Sequence, residues 1–203
     1  MSDMPAGAVG RAAPAQFSVT ETLRDGRSVE IRAFQPTDRA GLMTAVGDRS
    51  SDSALRSRFF TVRRRFSERE IDKFMDVDFV KQVALVVVAN REKAPEIVGA
   101  ARYITTEDGT AEVALALIDE YHGLGIGSAL VRHLIAIASR AGLKALEAHV
   151  LSDNTAMLKV FRNCGLPLET HRDRDVVHLT LALGRQPAGG PSSASIQQGN
   201  LSS

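Results

Sequence analysis

One cysteine, Cys164, occurs among the 203 residues, and that scarcity excludes an internal disulfide framework and a cysteine-based zinc site. It fits a reducing compartment, so a cytoplasmic protein is expected. Charge of one sign is lacking as well. With 25 basic against 24 acidic side chains the formal net charge is +1, and no global field draws the chain to nucleic acid or to an anionic membrane. Long apolar runs are also absent at the start: residues 1–16 are rich in Ala, Gly and Pro and read as a flexible arm, not as a signal peptide or anchor. Residues 184–203, built from Gly, Pro, Ser, Gln and Asn with only Ile196 and Leu201 to bury, read as a disordered tail. What is left, 17–183, suits one domain with a sizeable core.

Within that span the pattern changes period several times. Alternation predicts a first strand at 29–34, and Pro36-Thr37-Asp38 opens a helix to about Val46. An irregular, arginine-rich stretch at 50–65 follows, then Ser67-Glu68-Arg69-Glu70 resembles a capping box ahead of Ile71, Phe74 and Met75. Strands are predicted at 82–89, 96–105 and 111–118, joined by polar turns. Leu130, Leu134, Ile137 and Ala141 then recur at helical spacing until Gly142. A strand at 144–150, a helix capped by Asp153 or Asn154 and stopped by Gly165, and a strand at 176–183 complete the order. Hairpins combined with one β-α-β unit predict an α/β (α+β) fold with a mixed sheet and helices on both faces.

The segment His122-Gly123-Leu124-Gly125-Ile126-Gly127, between an apolar strand and a helix, carries the most chemistry. Its glycines remove the Cβ atoms that would keep a diphosphate from the main chain, and the turn delivers N–H groups at a helix's positive end. The same run also suits a dinucleotide-binding turn or a bare strand-to-helix connection. Other candidates have plainer readings. His149 reads as a histidine satisfied by polar neighbours, Cys164 as a small buried residue, and Arg63-Arg64-Arg65 as a solvated run, with docking of an acidic protein surface as the alternative. No metal site is expected.

The glycine turn in this setting, followed by Asn154 near a helix start and Gly165 after its end, resembles the GNAT N-acetyltransferases. More narrowly, Ser57-Arg58-Phe59-Phe60, Val77-Asp78-Phe79, Ala111-Glu112-Val113-Ala114 and the stretch 150–162 are similar to the Pat-type bacterial protein lysine acetyltransferases. The resemblance implies a GNAT fold: a mixed, mostly antiparallel sheet with helices on both faces and a splay between two central parallel strands, here 111–118 and 144–150. It implies acetyl-CoA as co-substrate. Main-chain groups near Leu117 and Ile118 would pair with the pantetheine arm, an N–H near Leu115 would hold the thioester oxygen, and Gly123, Leu124, Gly125, Ile126, Gly127 and Ser128 would take the diphosphate. Asn154 would reach the arm, Phe161 would pack beside the thiol, and Arg162 is a candidate for the outer phosphate. His122 stands where the family usually has Gln or Arg, which leaves the backbone cradle intact. Phe161 stands where many members have a Tyr acid, as it does in the Pat-type branch.

Lysine, with a pKa of about 10.4, must lose a proton before it attacks a thioester. Glu112 matches the Pat-type residue assigned as general base, and partial burial would raise its pKa toward the working range. A thiol with a pKa of roughly 8.5 leaves with little acid help, so Phe161 is tolerable. The expected activity is acetyl transfer to the ε-amine of lysine in proteins, with AMP-forming acyl-CoA synthetases as the targets the resemblance implies. Alternatives are a small-amine or N-terminal acetyltransferase, and a catalytically weak acyl-CoA-sensing module. The chain has no room for a fused regulatory domain, so control by cyclic nucleotide within it is not expected.

Overall fold

An Asp25-Gly26 turn, with Gly26 at φ 87°, folds β1 (Ser18–Thr22) back on β2 (Ser28–Ala33) as an antiparallel hairpin. The computed structural model describes residues 14–45, 75–90 and 94–184. β2 pairs with β3 (Gln82–Asn90), whose side chains are buried without interruption from Val83 to Ala89, as befits a strand covered on both faces. β4 (Pro95–Thr105) and β5 (Thr110–Leu117) continue the antiparallel run. The chain then crosses by α2 (Ile126–Arg140) to β6 (Ala145–Leu151), which lies parallel to β5. After α3 (Thr155–Arg162), β7 (Leu168–Asp173) and β8 (Val176–Ala182) complete one eight-stranded sheet in the order β1-β2-β3-β4-β5-β6-β8-β7.

Among the described residues, the single parallel pair between antiparallel neighbours makes the mixed, mostly antiparallel sheet expected from the sequence. α2 buries Ile126, Leu130, Leu134 and Ile137, one stripe at helical spacing, and stops where Gly142 takes φ 79°. The expected helix at 36–46 is broken into a 3-10 turn (Pro36–Asp38) and the short α1 (Arg39–Met43). Pro14–Gln16, assigned from sequence to the arm, form a 3-10 turn bonded to Phe17. The remainder of the arm, the arginine-rich stretch with Ser57-Arg58-Phe59-Phe60 and Arg63 to Arg65, the capping box at 67–70 and the tail from 185 lie outside the described residues. Among the described residues no helix is long and apolar enough to cross a membrane.

Asp38 is the one buried charged side chain among the described residues. Arg32 donates to both its oxygens, at 2.6 and 2.8 Å, and the Gln35 N–H adds a third bond at 2.8 Å. Burial alone would raise this carboxyl, but those bonds and the guanidinium charge outweigh it and hold its pKa below the ordinary value. A depressed native pKa means that the stability is present above the unfolded value and is lost as pH falls through the folded one. Asp38→Asn is therefore expected to cost about 1–3 kcal/mol at neutral pH. In urea titrations the gap to wild type should close as pH falls below the ordinary aspartate range, through the depressed folded-state value. A gap that persists undiminished in acid would assign the effect to packing rather than charge.

Candidate active site

β5 ends at Leu117, a 3-10 turn (Asp119–Tyr121) follows, and the glycine segment carries the chain into α2. Gly123 and Gly125 hold φ angles of 75° and 98°, a region that side chains rarely tolerate. Gly125 caps the helix, and the first bond of α2 returns from the Ala129 N–H to the Gly125 carbonyl at 3.1 Å. The N–H groups of Ile126, Gly127 and Ser128 are thereby left without partners within the helix, at its positive end. This is an anion cradle made of main chain.

The cradle opens onto a gap in the sheet. β5 and β6 share only three register pairs, Thr110 with Ala145, Ala111 with Leu146 and Glu112 with Glu147, and then part. Ile118 donates its N–H to Val98 at 3.0 Å and Thr106 donates to Thr110 at 2.9 Å, so the even-numbered residues of β5 bond toward β4. The main-chain groups of Val113, Leu115 and Leu117 consequently face the gap. A cavity of about 420 Å³ fills this region, bounded by Leu115 and Leu117, the glycine turn, Ser128, and Asn154, Met157, Lys159, Val160 and Asn163 of α3 and its flanks. Arg24, from the tip of the β1–β2 hairpin, closes it on the other side.

Glu112 stands on the opposite face of β5 from Leu115, about 10 Å along the strand. Its side chain is 56% exposed, so the partial burial expected from sequence is not found. His149 Nδ1 lies 3.9 Å from the Glu112 carboxylate. The His149 ring meets His178 edge-on at 4.5 Å between centroids, and His171 follows at 6.2 Å, a row set by cross-strand register through β6, β8 and β7. Arg102, paired with Ala114 across the β4–β5 ladder, is half-buried. Burial lowers its guanidinium to about 10, opposed by the Glu112 charge, so it stays cationic at neutral pH. Among the described residues no three His, Cys, Asp or Glu side chains are placed to hold a metal ion.

The profile of the acetyltransferase (GNAT) family matches residues 54–166. An acetyltransferase of Pseudomonas aeruginosa is 32% identical over 156 residues, covering 76% of this chain and 82% of that relative. The chain belongs to the GNAT acetyltransferase family. It is also 30% identical over 145 residues to acetyltransferase Pat of Mycolicibacterium smegmatis, 70% of this chain but 42% of that relative's length. Among solved structures it resembles the GNAT domain of S. lividans PAT, with a TM-score of 0.71 and 29% identity over 82% of this chain and 97% of that one.

In this GNAT acetyltransferase most of the residues expected at the cofactor site meet around one cavity: Leu115, Leu117, Gly123, Gly125, Ile126, Gly127, Ser128 and Asn154 all line it. Four do not. Ile118 has both main-chain groups occupied, its N–H by Val98 and its carbonyl by Tyr121, so the available edge ends at Leu117. Leu124 gives its carbonyl to the Arg24 N–H instead of lining the cavity. Phe161 is 1% exposed and belongs to the core, because Leu158 and Phe161, three apart, share the inward face of α3. The cavity face of that helix is instead Ala156, Met157, Lys159 and Val160, with Asn163 at its C-cap, which leaves Arg162 outside the lining and Lys159 within it.

Two side chains fix the ends of this arrangement, and the first is the helix cap expected at Asp153 or Asn154. Asn154 Oδ1 accepts from the Met157 N–H at 3.1 Å, so it caps α3 where it meets the cavity. His122 Nε2 lies 3.1 Å from the Leu117 carbonyl, which ties the first residue of the glycine segment back to the open edge of β5. The motif Val77-Asp78-Phe79 builds a turn. Asp78 Oδ1 accepts three main-chain bonds, from Val80, Lys81 and Gln82, and holds Phe79 at φ 57°, a strained value for an aromatic residue.

Proposed function

We propose that the unit from residues 17 to 183 transfers acetyl from acetyl-CoA to the ε-amine of lysine in proteins. The observation that carries this is the open edge of β5 running directly into the glycine cradle, with Glu112 on the reverse face of the same strand. The residues present fit the co-substrate. Main-chain groups at Leu115 and the Leu117 N–H suit the amides of a pantetheine arm, the Leu117 carbonyl being met by His122, and N–H groups of Ile126, Gly127 and Ser128 suit a diphosphate. Bound acetyl-CoA supplies an activated thioester carbonyl.

Glu112, acting through a water, takes the proton that a lysine ammonium must lose before its nitrogen attacks. The Leu115 N–H is the candidate donor to the thioester oxygen as charge develops there. As the C–N bond forms the C–S bond breaks, the nitrogen gives up its second proton to solvent, and the departing thiolate takes one from solvent in turn. Exposure of Glu112 on an open sheet face supports an acceptor presented by a large partner, as does the similarity to the Pat-type enzymes. By that similarity, AMP-forming acyl-CoA synthetases are the proposed targets. The test is to incubate the protein with labelled acetyl-CoA, a proteome lysate, a purified acyl-CoA synthetase and a panel of small amines. Label is expected in protein lysine, and incorporation confined to small amines or protein N-termini would overturn the assignment.

A further inference from the structure

Arg24 lies ninety-nine residues from Gly123 in sequence yet donates to its carbonyl from Nη1 at 3.2 Å. Its own N–H donates to the Leu124 carbonyl, also at 3.2 Å. The hairpin that carries it is fixed to the same part of the molecule at two more points. Glu21 of β1 accepts from Arg132 and from His133, the latter at 2.7 Å, both on α2. Arg27 stacks over the Tyr121 ring at 4.6 Å, just ahead of the glycine turn. The hairpin is thus a wall of the cavity, bound to both the helix and the turn.

The two arginines of this hairpin differ in their electrostatics. Arg27 is neutralised by Asp25 at 2.8 Å and approached by Glu120 at 3.9 Å. Arg24 lines the cavity and, among the described residues, is paired with no carboxylate. A guanidinium has five N–H donors, and the bond to Gly123 uses one while aiming the group across the turn. On the facing wall Lys159 of α3 is likewise without an acidic partner among the described residues. Two unneutralised cations therefore flank the N–H groups at the start of α2. A main-chain cradle alone offers a diphosphate only partial charges, whereas a fixed guanidinium offers a full charge and a planar pair of donors.

We infer that Arg24 is a phosphate-binding residue of the acyl-CoA site, delivered by the β1–β2 hairpin and aimed at the diphosphate by its bond to the Gly123 carbonyl. This rests on the reading that the cavity takes acetyl-CoA. Its consequence is specificity for the nucleotide half of the ligand: Arg24 distinguishes a diphosphate ester from the bare pantetheine thioester, which the edge of β5 alone can hold.

The test compares wild type with Arg24→Gln, which can still donate to Gly123 but carries no charge, and with Arg24→Ala. Affinities for acetyl-CoA, dephospho-CoA and S-acetylpantetheine are measured by calorimetry at two salt concentrations, with thermal melts to check folding. Both variants are expected to lose about 10- to 100-fold in affinity for acetyl-CoA and, by the same factor, for dephospho-CoA, which keeps the diphosphate. Binding of S-acetylpantetheine should be unchanged, and the salt dependence of acetyl-CoA binding should become shallower. Unaltered acetyl-CoA affinity in Arg24→Gln overturns the inference, and so does an equal loss for S-acetylpantetheine, which would mean a displaced turn. A wild-type protein that binds neither nucleotide ligand would instead overturn the acyl-CoA reading beneath it.

Discussion

Gly127→Glu is expected to reduce acetyl-CoA affinity by at least about 100-fold while the protein stays folded. Gly127 is helical, and a Cβ built on it meets only Val160 Cγ2 at 3.6 Å, an ordinary contact. Glutamate in the first turn of a helix suits both propensity and the dipole, so the fold has no reason to suffer. The ligand does. A carboxylate about 5 Å from a phosphate at an effective dielectric near 20 opposes it by roughly 3 kcal/mol for each unit charge. Gly127→Ala separates charge from bulk, and only a small loss is expected there. Calorimetry with thermal melting reads both quantities, and an unchanged affinity in Gly127→Glu would remove the cradle as the phosphate site.

Glu112→Gln should lower kcat near neutral pH by about 10²- to 10⁴-fold, the usual contribution of a general base. Acetyl-CoA affinity should hold, because Glu112 does not line the cavity. The deficit should narrow as pH rises toward about 10, where the free amine of lysine becomes abundant without help. Steady-state kinetics across pH, with protein and peptide acceptors, checks both statements. If most of the turnover survives, His149, 3.9 Å from the carboxylate, is the next base to replace.

The sheet's interior was legible because burial writes itself as apolar runs. The strands at 82–89, 96–105, 111–118, 144–150 and 176–183 correspond to β3, β4, β5, β6 and β8 within a residue or two. β1 and β7 escaped because they are the two edge strands. Their sequences, SVTET and LETHRD, bury little, and so neither shows a face. The signal for β1 was present all the same: Asp25-Gly26 is a strong hairpin turn, and reading it would have found the hairpin that brings Arg24 to the cavity. At the site, the cradle was legible because its residues are contiguous. Arg24 on Gly123 was not, since a contact ninety-nine residues apart leaves no local pattern. Phe161 and Arg162, which do not line the cavity, are a different case. The stripe of Met157, Val160 and Phe161 and the pair Leu158 and Phe161 both fit helical spacing, and only packing shows that the second is the buried one.

The three register pairs between β5 and β6 also divide the sheet into two panels, β1 to β5 and β6 to β8, joined there by a short hinge of main-chain bonds and spanned by α2. Within each panel strands are stitched along their length, so each can open as a cooperative unit, with the weakest seam between them. A ligand whose arm bonds along β5 while its other end rests on α2 acts as a brace across that seam. If the donor occupies the gap as proposed, the energy of occupying it enters the mechanical unity of the fold, and the enzyme with its donor in place is expected to be a stiffer body than the enzyme waiting for it.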